Sequence, residues 1–239
     1  MRELPILMNG PMVRAVLEGR KTVTRRVVKP APPVGHSFFG FCTASTCRKD
    51  EGGAVWSAGE QGVRLIDPLR VHCPYGQPGD RLWVRETFKP IASGEVKDGY
   101  GEVRYGYAYQ ADSSRQWNAR PTIIHDLTGQ PSKGPMQFQQ RPWRSPATMP
   151  HRASRITLEV TGVRVERLQD ISEEDALAEG IDADMCRASI GKAPLKAGYL
   201  PVCAFSYLWE QINGVGSWDA NPWVWAISFR RIDGERRNG

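Results

Sequence analysis

Gly19-Arg20-Lys21-Thr22-Val23-Thr24-Arg25-Arg26 puts one amine, two hydroxyls and three guanidinium groups into eight residues opened by a glycine. Upstream, Asn9-Gly10-Pro11 begins a short helical pattern, with proline suited to a first turn whose N–H groups have no intrahelical partner. Val13, Val16 and Leu17 supply its apolar stripe, and Gly19 is placed to close the helix in the left-handed conformation. Downstream, Thr22 to Val28 is rich in β-branched residues and reads as a strand. Lys21 and Thr24 therefore belong to a helix-to-strand corner, a setting from which a rigid scaffold can aim reactive groups. The competing reading is a solvated basic edge strand whose charges discourage unwanted pairing.

A distant segment weighs against that competing reading. Ser172-Glu173-Glu174-Asp175 fits a capped helix start, and the helical pattern runs through Glu179 to Gly180. The early acids suit the helix dipole, whereas Glu179 in the last turn opposes it and calls for a positive partner. Lys21 is the nominated partner. The Gly-Arg-Lys-Thr-x-Thr corner, the strand Gly79-Asp80-Arg81-Leu82-Trp83-Val84-Arg85-Glu86 and the acid-ended helix together resemble the ASCH domain family, small barrels related to the PUA RNA-binding fold. The resemblance covers stretches near 19–28, 78–88, 154–181 and 222–231. It implies an α+β, PUA-like β-barrel with flanking helices and one domain over 1–239, interrupted by insertions at about 31–76 and 89–150. In the long, prophage-type members a Met-Pro-x-Trp-Ala-Ser-Arg-Ile segment is typical. Here Met149-Pro150-His151-Arg152-Ala153-Ser154-Arg155-Ile156 has Arg152 at the tryptophan position, which puts stacking there in doubt.

Within that family the acetylcytidine amidohydrolases supply the nearest chemistry. Carried over by motif position, the resemblance implies Lys21, Thr24 and Glu179 as the catalytic set. Thr24 would be the nucleophile toward an acylated cytosine, Lys21 its base and Glu179 an assisting acid. The base role requires Lys21 to titrate below the ordinary lysine value, by burial or by neighbouring cations. Glu179 would pull the other way. In a regular strand residues three apart face oppositely, so Lys21 and Thr24 converge only if Lys21 lies in the turn.

A non-catalytic nucleic-acid module is the alternative. Arg20, Arg25, Arg26, Arg85 and Arg155 are then candidate phosphate or substrate contacts, and Trp83 or Trp143 candidate stacking platforms. Val103, Tyr105, Tyr107 and Tyr109 alternate, giving a strand with an aromatic face that reads as a stacking row or a half-buried sheet face. The expected partner is RNA, DNA or a nucleoside; oligomeric state stays open.

Bulk properties bound these readings. The chain has 239 residues, 40% hydrophobic and 24% charged, enough for a sizeable core. Net charge is +6, and residues 1–30 hold seven Lys/Arg against two Glu, which favours an anionic partner. There is no membrane-length apolar run and no secretory leader pattern, so the expected compartment is the cytoplasm. No Rossmann, P-loop, HExxH or GxSxG signature occurs, and no cofactor is expected. Cys42, Cys47, His72 and Cys73 supply four possible ligands for a structural zinc, but the adjacency of His72 and Cys73 favours reduced, unconnected thiols. Residues 31–76, rich in Gly and Pro, read as an irregular insertion, and 110–150 as a polar arm. Ser154–Leu168, with Gly162 as a candidate bulge, and Trp223–Arg230 read as strands, Cys203–Asn213 as a helix, and the tail from Arg231 as frayed.

Overall fold

The structure, a computed structural model, describes residues 1–43, 50–58, 65–97, 100–117, 122–125, 142–189 and 200–232. The strands are β1 (Glu3–Leu7), β2 (Val23–Val27), β3 (Ser37–Phe41), β4 (Ala54–Ser57), β5 (Leu69–Val71), β6 (Arg81–Arg85), β7 (Phe88–Lys97), β8 (Tyr100–Tyr109), β9 (Arg115–Trp117), β10 (Thr122–His125), β11 (Thr157–Arg167) and β12 (Trp223–Ile232). The helices are α1 (Gly10–Leu17), α2 (Glu173–Ala178), α3 (Ala183–Ser189) and α4 (Leu200–Asn213). The class is mixed α+β with sheet predominating. A five-stranded sheet has the order β1-β6-β11-β12-β2; among the described residues its two ends do not pair, so it is open rather than a closed barrel.

The chain divides into two compact units. The first comprises Met1–Leu4, Ala15–Leu82 and Leu158–Gly239. Its centre is β12, where Val224, Trp225, Ala226 and Ile227 are all fully buried. The sequence marks only Trp223, Trp225, Ile227 and Phe229 as core. The other face is buried too, because Val224 joins Phe205 and Trp209 of α4, Ala176 of α2 and Trp218 in one cluster. On the tryptophan face, Trp56 packs edge-on to Trp225, ring centroids 6.1 Å apart.

That packing corrects the reading of 31–76 as irregular. β3, β4 and β5 form an antiparallel sheet in that order. β4 is buried at every position, so its sequence has no alternation to read. A register shift between Phe38 and Gly40 hides β3 as well. β11, by contrast, runs unbroken through Gly162. The polar tail beyond 232 lies outside the described residues.

The second unit comprises Pro5–Arg14 and Trp83–Thr157. Its frame is the long antiparallel β7–β8 hairpin, flanked on β8 by β9 and β10. Pro90 is accommodated because β7 is the outer strand of its sheet. Gly106 lets β9 approach: a Cβ there would lie 2.2 Å from the Gln116 carbonyl oxygen. A small core of Phe88, Tyr109, Met149 and Ala153 closes the unit. The polar arm expected over 110–150 therefore contains β9, β10 and a 3-10 turn at Pro146–Thr148, although 118–121 and 126–141 lie outside the described residues.

Candidate functional site

In the first unit the two halves of the sequence signature meet. Gly19 takes φ +75°, and the backbone N–H groups of Arg20 and Lys21 both donate to the Ala15 carbonyl, at 2.9 and 3.0 Å. This cap turns the chain directly from α1 into β2. On the other side the Ser172 hydroxyl caps α2 by accepting from the Asp175 N–H, and Gly180 ends it at φ +92°. Lys21 and Glu179 then form an antiparallel backbone bridge. The Lys21 ammonium donates to the Glu179 carboxylate at 2.5 Å and to the Glu179 carbonyl at 2.9 Å. The nominated partner of Glu179 is the observed one.

Both side chains are sealed from solvent, at 0% and 3% exposure. Burial pushes the Lys21 pKa down; Glu179 pulls it back up, and Arg26 and Arg25 push it down again, leaving it below the ordinary lysine value. Gly180 closes the site against the helix corner: a Cβ there would stand 2.8 Å from that of Ala15 and 3.2 Å from that of Lys21.

Arg25, expected at a phosphate, is fully buried and already engaged. Its guanidinium meets Glu166 at 2.6 Å, Asp175 at 2.6 Å and Glu179 at 3.4 Å, and it lies over the Phe205 ring. Arg164 adds a third cation, 2.7 Å from Asp175. Three cations thus interlock with three carboxylates, and opposite charge with hydrogen bonds is what makes such burial tolerable. Glu166 and Arg164 were not singled out in the sequence, and Asp175 was read only as an acid of the helix start. Alternation along β2 was the available signal, since it puts Lys21, Val23 and Arg25 on one face.

Thr24 is fully buried, and among the described residues its hydroxyl has no hydrogen-bond partner. It sits opposite Ile227 in the β2–β12 register, while Arg25 sits opposite Ala226. The pleat therefore points Thr24 to the face opposite Arg25. Arg26, partly buried, follows on the Thr24 face opposite Trp225. Arg20 is the outer residue of the corner, 37% exposed, and donates to Glu18 and to the Gly180 carbonyl.

The remaining candidates belong to the second unit. Trp83 is partly buried, 5.0 Å from the His151 ring, with the Arg85 guanidinium over its face. Arg85 also donates to the Ala147 carbonyl at 2.5 Å. Trp143 is 41% exposed and carries the Lys89 ammonium 4.8 Å from its ring centroid. Arg155 is not placed to meet a phosphate: it forks onto Glu86 at 2.8 and 2.9 Å and reaches Asp112 at 2.7 Å. Of the zinc candidates, Cys47 lies outside the described residues, and burial raises the Cys73 thiol to about 11. Among the described residues no group of three or more His, Cys, Asp or Glu is arranged to hold a metal.

No family model, no curated protein and no solved structure matches the chain.

Proposed function

We propose that this chain is an ASCH-type, PUA-like domain that recognises a nucleoside or nucleic acid and hydrolyses the amide of an N-acylated cytosine. The observation that carries the reading is the buried Lys21–Glu179 contact, which joins two parts of the motif set 158 positions apart. A lysine whose pKa is held below the ordinary value by burial is a better proton acceptor than a solvated one, and the adjacent carboxylate fixes its position. In one version of the reaction β2 must first shift to bring Thr24, which faces away from Arg25, toward Lys21. The Thr24 hydroxyl then gives its proton to Lys21 and attacks the acyl carbonyl. Collapse of the adduct breaks the C–N bond, and the lysine proton leaves with the cytosine amine. Water then attacks the acyl ester, releasing the carboxylic acid and restoring the hydroxyl. The buried, unpartnered Thr24 oxygen is a group that no structural hydrogen bond uses.

The register of β2 favours a second version, in which water attacks beside Lys21 and Glu179 and Thr24 only packs. Either version requires the corner to open, since both charged side chains are sealed. The test is hydrolysis of acetylcytidine, free and within RNA and DNA, by wild type, Thr24→Val and Glu179→Gln. Thr24→Val keeps the shape and removes the oxygen. Loss of turnover in a folded Thr24→Val protein assigns the nucleophile to Thr24. Turnover kept there but lost in Glu179→Gln assigns it to water. No turnover by wild type on any of the three substrates overturns the hydrolase reading and leaves the ion cluster as the clasp between α2 and β2.

A further inference from the structure

The second unit carries a feature that hydrolysis at Lys21 does not use. From the sequence it holds twelve Lys/Arg against six Asp/Glu, so the whole net charge of +6 resides in it and the first unit is neutral. Two of those six acids, Glu86 and Asp112, are already bound by Arg155. Within this basic unit lies an open concavity of about 380 Å³ lined by Pro90, Ile91, Tyr105, Gly106, Tyr107 and Arg152. Tyr105 and Tyr107 are two apart on β8 and so share one sheet face. Pro90 pairs with Tyr107 in the β7–β8 register and joins that face. Tyr105 is 41% exposed despite its large apolar ring. Arg152, exposed on a 3-10 turn, reaches over the row and donates to the Tyr107 hydroxyl at 3.3 Å.

The two features together match one ligand. The exposed Tyr105 ring, beside the partly buried Tyr107, offers a flat face to a planar ring, and a guanidinium at the edge offers donors to a phosphate. We infer that the Tyr105–Tyr107–Arg152 groove binds single-stranded nucleic acid, taking an unpaired base against the tyrosines and its phosphate at Arg152. A duplex hides its base faces and so fits this groove poorly. The inference stands on the second unit alone and does not require the Lys21 centre to turn over any substrate.

The experiment is fluorescence anisotropy of the full chain with labelled oligo-dT, oligo-U and the matching duplex, across a salt series. Tyr105→Ala, Tyr105→Phe and Arg152→Gln are compared with wild type, and thermal unfolding of each is recorded. Tyr107 is left intact because its ring packs on Phe88. The expected result is about tenfold weaker single-strand binding for Tyr105→Ala, with binding retained in Tyr105→Phe. Arg152→Gln is expected to lower the salt slope by about one phosphate contact. Whether oligo-dT or oligo-U binds more tightly distinguishes DNA from RNA as the natural strand. Wild-type binding to neither strand, equal binding by Tyr105→Ala and wild type, or an unchanged salt slope in Arg152→Gln would overturn the assignment. Acetylcytidine hydrolysis is measured separately, so either result can fail without the other.

Discussion

At the scale of single residues, the cluster depends on Gly180 as much as on its charges. A left-handed φ of +92° and a close approach to Ala15 and Lys21 both demand the absence of a side chain. Gly180→Ala is therefore expected to destabilise the fold by roughly 1–3 kcal/mol, read as a lower midpoint in urea unfolding; an unchanged midpoint would show that the corner yields without cost. Lys21 makes a separate prediction. Its pKa in the fold lies below the unfolded value of 10.5. Between the two the unfolded chain binds more protons, so this residue contributes stability that is fully present above 10.5 and lost as pH falls through the lowered folded value. Replacing Lys21 with Met should flatten that alkaline rise in unfolding free energy. A variant that keeps the wild-type slope would assign the slope to another group.

At the scale of elements, α2 has only six residues, too few to hold itself together without tertiary contacts. It persists because Ser172 caps its start, Ala176 enters the core cluster, and Asp175 and Glu179 grip Arg25 and Lys21. Ser172→Ala should cost about 1 kcal/mol by thermal unfolding. A loss several times larger would mean that the cap also holds the ion cluster in register. This helix was legible in advance because its signals are local: a hydroxyl at the cap, acids in the first turn and a glycine after the last. β4 was not legible. Ala54-Val55-Trp56-Ser57 is buried on both faces, and a strand buried on both faces loses the period that marks it. Arg25 was misread for a related reason. Arginine in a basic run ordinarily faces solvent, and only α2 and β11 bring the carboxylates that permit its burial.

At the scale of the whole chain, the basic character visible in the sequence divides unevenly. The first thirty residues look like its centre, with seven Lys/Arg against two Glu. In the folded first unit, however, Lys21 and Arg25 are neutralised by Glu166, Asp175 and Glu179. The charge with no counterpart in composition belongs to the second unit, where the tyrosine groove also lies. Among the described residues no helix is long and apolar enough to cross a membrane.

Local signals in the sequence determined the turn at Gly19, the capped α2, the strands β2, β6, β8, β11 and β12, the helix α4, and the meeting of Lys21 with Glu179. Each rests on residues within a few positions of one another, or on one helix-end charge that needs an opposite charge. Tertiary structure alone decided that Arg25 is a buried clasp, that 31–76 contributes a buried strand, and that Arg155 is spent on Glu86 and Asp112. Those outcomes turn on which distant carboxylate or ring comes within a few ångströms, and no periodicity along the chain encodes such a distance.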